Sequence, residues 1–353
     1  MESFFKKIID KVRNSLTNDI GIDLGTVNTL VHIKGKGIIY NEPSLVAVNQ
    51  KTGKIVAIGH KALEMLGKAP KHINIIHPLV DGVVSDFEVT EELMRYLLRL
   101  VQKKYPKFFG PRAVIGVPSE ITNVEQRAVR SATRNAGARV VHIIPEPLAA
   151  AVGIGVPIGE IRGEMIVDIG GGTSDIMVIS MEGIVASKNV RVAGQKMNDA
   201  IVNHIREVFK LLIGLRSAEE LKKHTSPFIL EDSRKRFAIR GRNIVSGLPQ
   251  EITVTGQDVQ HSISHLTEEI IEGIKEVLEL APPEISADLY KRGLYLVGGG
   301  ALIQGLPEVI SKEIGILVKV PEDPLLSVAY GAGIIANDVD SYKNILIPDD
   351  DDE

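Results

Sequence analysis

Two stretches of this chain repeat one pattern, and the repeat limits what it can fold into. IGIDLGTVNTLVHI, residues 20–33, and MIVDIGGGTSDIMVI, residues 165–179, each carry an apolar strand into an aspartate, bend at glycine and threonine, and return as a second apolar strand. Asp23-Leu24-Gly25-Thr26 thus has a counterpart in Asp168-Ile169-Gly170-Gly171-Gly172-Thr173. Such duplication predicts two related α/β halves facing each other across a cleft. Glycine at the bends permits positive φ and lets backbone N–H groups approach an anion with no Cβ in the way; Thr26, Asn28 and Thr173 add side-chain donors. Phosphate can be gripped this way without lysine. Asp23 and Asp168 would repel a bare polyphosphate, so they fit only with a divalent cation between, Mg²⁺ held mainly through water. One such turn alone is equally well a hairpin of conformational origin, but two copies and a third glycine turn favour phosphate.

The third turn lies in LYLVGGGALIQGLPEVI, residues 294–310, where a strand runs through Gly298, Gly299 and Gly300 towards a helix near Pro307. It has no acidic residue and suits close backbone approach to a flat base or sugar, although a tight strand-to-helix connection would look the same. No Lys-Ser or Lys-Thr follows any glycine run, which excludes a Walker A loop, and the spaced glycines of a dinucleotide fingerprint are missing.

With 353 residues, 44% of them hydrophobic and 24% charged, the chain can build two domains around separate cores. A net charge of -4 gives no global basic field, so nucleic acid is not an expected partner. The absence of cysteine rules out disulfides, thiolate metal sites and cysteine nucleophiles. No apolar run reaches the roughly 18 residues of a membrane span, and no signal-peptide pattern opens the chain, so a cytoplasmic protein is expected. The first segment sets Phe4, Phe5, Ile8, Ile9, Val12 and Leu16 on one helical stripe between Lys6, Lys7, Lys11 and Arg13. A basic amphipathic helix over residues 1–17 would lie on a membrane surface; docking on the protein body and a frayed tail are the alternatives.

Along the rest of the chain, short strands alternate with helices. Thr90 is the expected cap of a helix with Leu93, Tyr96, Leu97, Leu100 and Val101 inward; Thr122 with Glu125 and Ser217 with Glu220 read as capping boxes. In PEPLAAAVGIG, Pro147 suits the first helical position and leaves Glu146 at the helix mouth. There a carboxylate fixed by flanking prolines is a rigid acceptor for a water proton, or simply a charge stabilised by the helix dipole. Domain I is placed at 18–152 with an insert near 41–72, domain II at 153–321 with an insert near 189–254, a return to domain I at 322–340, and an acidic tail at 341–353 whose closing PDDDDE is solvated. Phe108 and Phe109 fall between Pro106 and Gly110-Pro111, where either loop exposure or core packing is open. Arg234, Lys235, Arg236, Arg240 and Arg242 read as a solvated strand face, and His261 and His265 as surface histidines for which no third metal ligand can be assigned.

The order of phosphate turn, Pro-Glu-Pro helix, second phosphate turn and final glycine loop resembles the actin, sugar kinase and heat-shock chaperone ATPase superfamily. Within it the chain is similar to the MreB family of bacterial actin homologues over residues 18–337, through GIDLGTVNT, PRAVIGVPSEIT, IPEPLAAAVGIGVP, VDIGGGTSDI, LLIGLRSAEELK, GRNIVSGLP and LVGGGALIQGLP. The resemblance implies an α/β actin-like ATPase fold of two related domains, each with an inner subdomain and a smaller insert, with nucleotide in the cleft. It implies that Thr26, Val27 and Asn28 form the first phosphate loop and Gly170, Gly171, Gly172 and Thr173 the second. Glu219, Glu220, Leu221 and Lys222 match the segment that holds ribose and adenine, and Gly299, Gly300 and Ala301 the other side of the base. Glu146 and Thr173 match the pair that orients the hydrolytic water.

The implied function is slow hydrolysis of ATP with Mg²⁺, coupled to filament assembly at the inner membrane surface. The N-terminal helix and Phe108-Phe109 would face lipid, and cell-wall elongation proteins would be partners. A metabolic kinase, with Asp175 as the available catalytic aspartate, and a chaperone ATPase domain are the alternatives within the superfamily. Two segments depart from the family pattern: Ala193-Gly194-Gln195, where Gly-Gly-Asp is usual, and KKHTSPFILEDSRKRFA after the SAEELK helix.

Overall fold

The computed structural model describes residues 17–225, 227–229 and 235–349. The amphipathic stripe at 1–16 and the last acidic residues lie outside them, as do residues 226 and 230–234 of the divergent segment after the SAEELK helix, Arg234 among them. The chain divides into two compact units, one running to Ile158 and resuming at Leu326, the other covering Gly159–Leu325.

The first unit is built on a five-stranded sheet. β1 (Asp19–Leu24), β2 (Asn28–Ile33) and β3 (Gly37–Pro43) form an antiparallel meander. An insert follows, of β4 (Val46–Asn49), β5 (Ile55–Ile58), α1 (His60–Met65) and β6 (Ile73–Ile76), around Leu45, Ala47 and Ala62. A tight hairpin, β7 (Leu79–Val80) and β8 (Val83–Val84), turns through Asp81 and Gly82, both at positive φ, and leads into α2 (Phe87–Lys104). β9 (Arg112–Val117), α3 (Asn123–Asn135), β10 (Val140–Pro145) and α4 (Glu146–Gly153) follow. β9 lies parallel to both β1 and β10, giving the order β10-β9-β1-β2-β3. α2 and α3 pack Leu93, Met94, Leu97 and Val129 on the sheet.

The second unit repeats this plan. β11 (Glu164–Ile169), β12 (Ser174–Ser180) and β13 (Gly183–Val190) form the meander. Next come α5 (Gly194–Phe209), β14 (Leu211–Leu212), α6 (Leu215–His224), and the strands β15 (Arg236–Asn243) and β16 (Pro249–Thr255). The 25-residue α7 (Gly256–Leu280) crosses the sheet and is followed by α8 (Pro283–Arg292). β17 (Leu294–Val297), a 3₁₀ turn (Gly299–Leu302), α9 (Leu306–Ile314) and β18 (Val318–Lys319) close the unit. The order is β13-β12-β11-β17-β18, with β17 parallel to β11 and to β18. Strand for strand, this is the connectivity of the first sheet, so the repeat read from two short motifs extends through both sheets.

α10 (Ser327–Asn337) returns to the first unit and packs on α4 and β1. Its approach depends on residues without side chains: a Cβ on Gly331 would lie 1.7 Å from the Ala149 carbonyl oxygen, and one on Gly153 2.0 Å from that of Ser327. The sequences LAAAVG and AYGAGIIA are therefore two halves of one backbone contact.

Four local expectations change: Tyr96, expected inward on α2, is 39% exposed, and three helix starts differ. α2 is capped by Asp86, whose Oδ1 accepts from the Val89 N–H at 3.0 Å, while Thr90 is buried inside the helix and donates to the Asp86 and Pro78 carbonyls. Ser217 lies within α6, which starts one turn earlier after Gly214, so no capping box forms there. Glu146, rather than Pro147, is the first residue of α4. The Thr122–Glu125 box is present, with both reciprocal bonds.

Candidate functional site

In the first unit the parallel strands β1, β9 and β10 end at one edge, where open α/β sheets bind ligands. Asp23, next to last in β1, pairs in register with Gly116 of β9, which pairs in turn with Ile144 of β10, two residues before Glu146. A Cβ on Gly116 would meet Glu146 Cγ at 3.3 Å and Val328 Cγ1 at 2.8 Å, so the Glu146 side chain lies over Gly116, one strand from Asp23. Burial pushes the Asp23 carboxyl up to about 7. The turn that follows is braced from outside its own hairpin. Ser44 Oγ donates to the Gly25 carbonyl at 2.6 Å and shares a 2.7 Å hydrogen bond with the Thr29 hydroxyl, and the Ser44 N–H donates to the Val27 carbonyl at 2.8 Å. Thr26 is buried and its Oγ1 accepts from the Gly82 N–H at 3.0 Å, leaving its own proton to give.

In the second unit, Asp168 and Thr173 are both buried at the matching turn, and the Gly170 N–H donates to the Thr173 carbonyl at 2.9 Å. Ser174 Oγ donates to the Val192 carbonyl at 2.6 Å. The first turn of α5 is tied to the glycines: Gly194 N–H to the Gly170 carbonyl at 3.2 Å, and Gln195 N–H to the Gly171 carbonyl at 2.8 Å. Gln195 engages the turn through its backbone, so its departure from the family pattern leaves this contact intact.

α6 adds a charged network beside the same helix end. Lys222 Nζ donates to the Gly194 carbonyl at 2.9 Å and lies 2.7 Å from Glu219 Oε2; Asn198 Nδ2 donates to that same oxygen at 2.7 Å, and Lys223 Nζ is 3.1 Å from Glu219 Oε1. Burial alone would raise the Glu219 carboxyl, but the charge and hydrogen bond of Lys222, with hydrogen bonds from Asn198 and Lys223, bring it to about 2. Burial lowers Lys222, against the pull of Glu219. Asn198 escaped sequence reasoning because its partner is 21 residues away on another helix. Of the four α6 candidates, Glu219 and Lys222 meet here. Leu221 packs in the unit's core, and exposed Glu220 faces His224 at 3.4 Å.

The third glycine turn joins the second through the sheet, since β17 pairs with β11 and sets Val297 opposite Asp168. Gly298 has φ 76°, and a Cβ there would stand 2.2 Å from Asp168 Oδ1; one on Gly300 would stand 2.3 Å from Ile169 Cγ2. Gly299 and buried Ala301 continue the turn. The structure thus gathers Asp23, Thr26, Val27, Asn28 and Glu146 in one unit, and Asp168, Gly170–Thr173, Glu219, Lys222 and Gly299–Ala301 in the other.

Asp175 is buried within β12 and accepts from Asn189 Nδ2 at 2.9 Å. Phe108 is 88% exposed and Phe109 46%, which resolves their loop in favour of exposure. His261 packs against His204, with ring centroids 5.5 Å apart; among the described residues no group of three or more His, Asp or Glu side chains could hold a metal by itself.

The model of the MreB/Mbl protein family matches residues 17–344. The chain belongs to the MreB/Mbl family. It is 44% identical to the cell shape-determining protein Mbl of Bacillus subtilis (strain 168), over 91% of this chain and 96% of that one. It is 39% identical to the cell shape-determining protein MreB of Escherichia coli (strain K12), over 97% of this chain and 100% of that one. The structures of MreB5 of Spiroplasma citri bound to ADP and to AMPPNP superpose with TM-scores of 0.87 and 0.86 at 34% and 33% identity. They cover 93% and 92% of this chain and 98% and 97% of theirs. The fold is therefore the actin-like α/β fold of MreB, a cell shape-determining family.

Proposed function

We propose that this chain binds ATP with Mg²⁺, hydrolyses it slowly, and assembles into filaments at the inner face of the cytoplasmic membrane that direct cell shape and wall synthesis. The observation that carries it is the duplicated Asp-Gly turn at the same place in two sheets of identical connectivity. MreB5 holds a nucleotide, as diphosphate or triphosphate analogue, on the same fold. One ATP would draw its phosphate contacts from the backbone and hydroxyls of Thr26, Val27 and Asn28 and from Gly170–Thr173, and its ribose contacts from Glu219 and Lys222.

The donor set suits Mg²⁺. A cation that keeps most of its waters asks little of the protein beyond one or two carboxylates, and Asp23 is a carboxyl that burial has pushed up to about 7, which a nearby cation would return to the charged form. When bound, Mg²⁺ neutralises charge on the phosphate oxygens. Glu146, fixed at the first position of α4 between two prolines, accepts a proton from the attacking water, while Thr173 orients it. Nucleotide binding favours assembly, and hydrolysis weakens it. The exposed Phe108-Phe109 loop and the segment at 1–16 supply lipid contact, and cell-wall elongation proteins are the partners.

Light scattering with and without ATP and Mg²⁺, followed by electron microscopy, tests assembly; a monomer under every condition rejects it. Glu146→Ala should bind ATP as tightly as the parent yet release phosphate at least about a hundredfold more slowly. Unchanged turnover removes Glu146 from the chemistry.

A further inference from the structure

We propose that the arginine-lined strand β15 and the apolar tip that follows it dock along helix α7 of a second copy of this chain. The contact rests on the assembly proposed above and specifies its surfaces. β15 alternates cleanly: Phe237 and Ile239 pack against the unit's core, while Arg236, Arg240 and Arg242 emerge on the exposed face. Arg240 pairs with Glu251, and Arg236 and Arg242 have no acidic partner among the described residues.

The turn beyond Arg242 is rigid. Asn243 Oδ1 accepts from the N–H groups of Val245 and Ser246 at 2.8 and 2.9 Å, Asn243 N–H donates to the Leu248 carbonyl at 2.9 Å, and Gly247 takes φ 74°. This turn satisfies its own backbone while holding Val245 81% and Leu248 65% exposed, an apolar surface already ordered for burial.

α7 offers the complement. Glu268, Glu269, Glu272, Glu276 and Glu279 line its exposed side, and Leu280, 69% exposed, ends it. Lys275 and Lys188 pair with Glu272 and Glu276; Glu268, Glu269 and Glu279 have no basic partner among the described residues. The rows match in length, about 20 Å along the strand from Arg236 to Arg242 and about 16 Å along the helix from Glu268 to Glu279. They also match in order, since each row finishes at its apolar end. An anionic lipid surface would reward the tip and Arg242 but leave Arg236, some 20 Å behind, without a partner. Because the two surfaces differ, the contact is head-to-tail, the class of contact that builds a filament when successive rotations do not close into a ring.

Charge exchange tests the pairing. Arg242→Glu and Glu279→Arg, each confirmed folded by circular dichroism, should raise the critical concentration for ATP-driven assembly about tenfold or more, and the double variant should return it towards the parent value. Since the chain has no tryptophan, Val245→Trp is a single reporter, expected to shift to shorter wavelength on assembly and not on adding phosphatidylglycerol vesicles to unassembled protein. Single variants that assemble like the parent, a double variant no better than the singles, or a tryptophan that answers to vesicles and not to assembly would each overturn the contact. A parent chain that never assembles rejects the assembly proposal itself; a parent that assembles beside an indifferent Arg242→Glu rejects only these surfaces.

Discussion

His204 is a residue whose protonation the fold opposes. It sits on α5 with one ring edge against Phe209 and the other against His261 of α7, and its Nε2 is buried with no hydrogen-bond partner. Burial lowers it from the ordinary 6.5; Asp258 of α7 and Glu207 on its own helix pull the other way, and His261 adds to the lowering. The folded chain therefore holds the neutral ring while the unfolded chain takes up a proton, so stability falls as pH drops through about 6.5 and levels off below the folded value. Urea midpoints between pH 7.5 and 5.5 should decline in the parent and decline less in His204→Gln. Identical slopes would remove His204 from the acid response.

At the scale of elements, what was legible depended on how far along the chain the deciding partner lay. The Thr122–Glu125 box was readable because both partners sit within one turn. The cap of α2 was not, because Thr90 and Asp86 are four apart and both suit the role; the choice falls to Asp86 because the β7–β8 hairpin accepts the Thr90 hydroxyl at the Pro78 carbonyl. Asp86→Ala should thus cost about 1 kcal/mol in urea unfolding, and an effect near zero would mean the cap is idle. The phosphate turns were legible in Gly25 and Gly170–Gly172, whereas their braces, Ser44 and Ser174, were invisible because each bonds a carbonyl 18 or 19 residues away. The α4–α10 crossing was hidden for the same reason. Gly331 and Ala149 lie 182 positions apart in the numbering, and only their contact explains why both stretches lack bulk. Gly331→Ala puts a methyl 1.7 Å from the Ala149 carbonyl oxygen, which neither helix backbone can yield without shifting. A loss of about 1–3 kcal/mol is expected, larger than for Asp86→Ala. A neutral result would show that α10 slides freely.

For the whole molecule, the duplicated sheet raises a question that neither unit answers alone, namely whether the two turns serve one nucleotide or two. Two independent sites would each stabilise their own unit. One shared nucleotide must stabilise both, because a ligand that binds only the native state raises the free energy of unfolding for everything it holds. With ATP and Mg²⁺ at about 100 times the dissociation constant the gain is about 2.7 kcal/mol, or about 5–10 °C in Tm for a unit of this size. Chelating the metal with EDTA should remove most of that rise, since Asp23 and the phosphates then face each other without a cation. The deciding variant is Asp23→Asn, which alters only the first unit's turn and relieves the buried carboxyl of its titration near 7, so the nucleotide-free protein keeps its stability. If one ATP is shared, this variant loses the ATP-induced shift in both units, read separately by hydrogen exchange in β1 and in β11, and Asp168→Asn does the same from the other side. If protection of β11 by ATP survives Asp23→Asn undiminished, each turn binds on its own, and assembly cannot be governed by a common nucleotide.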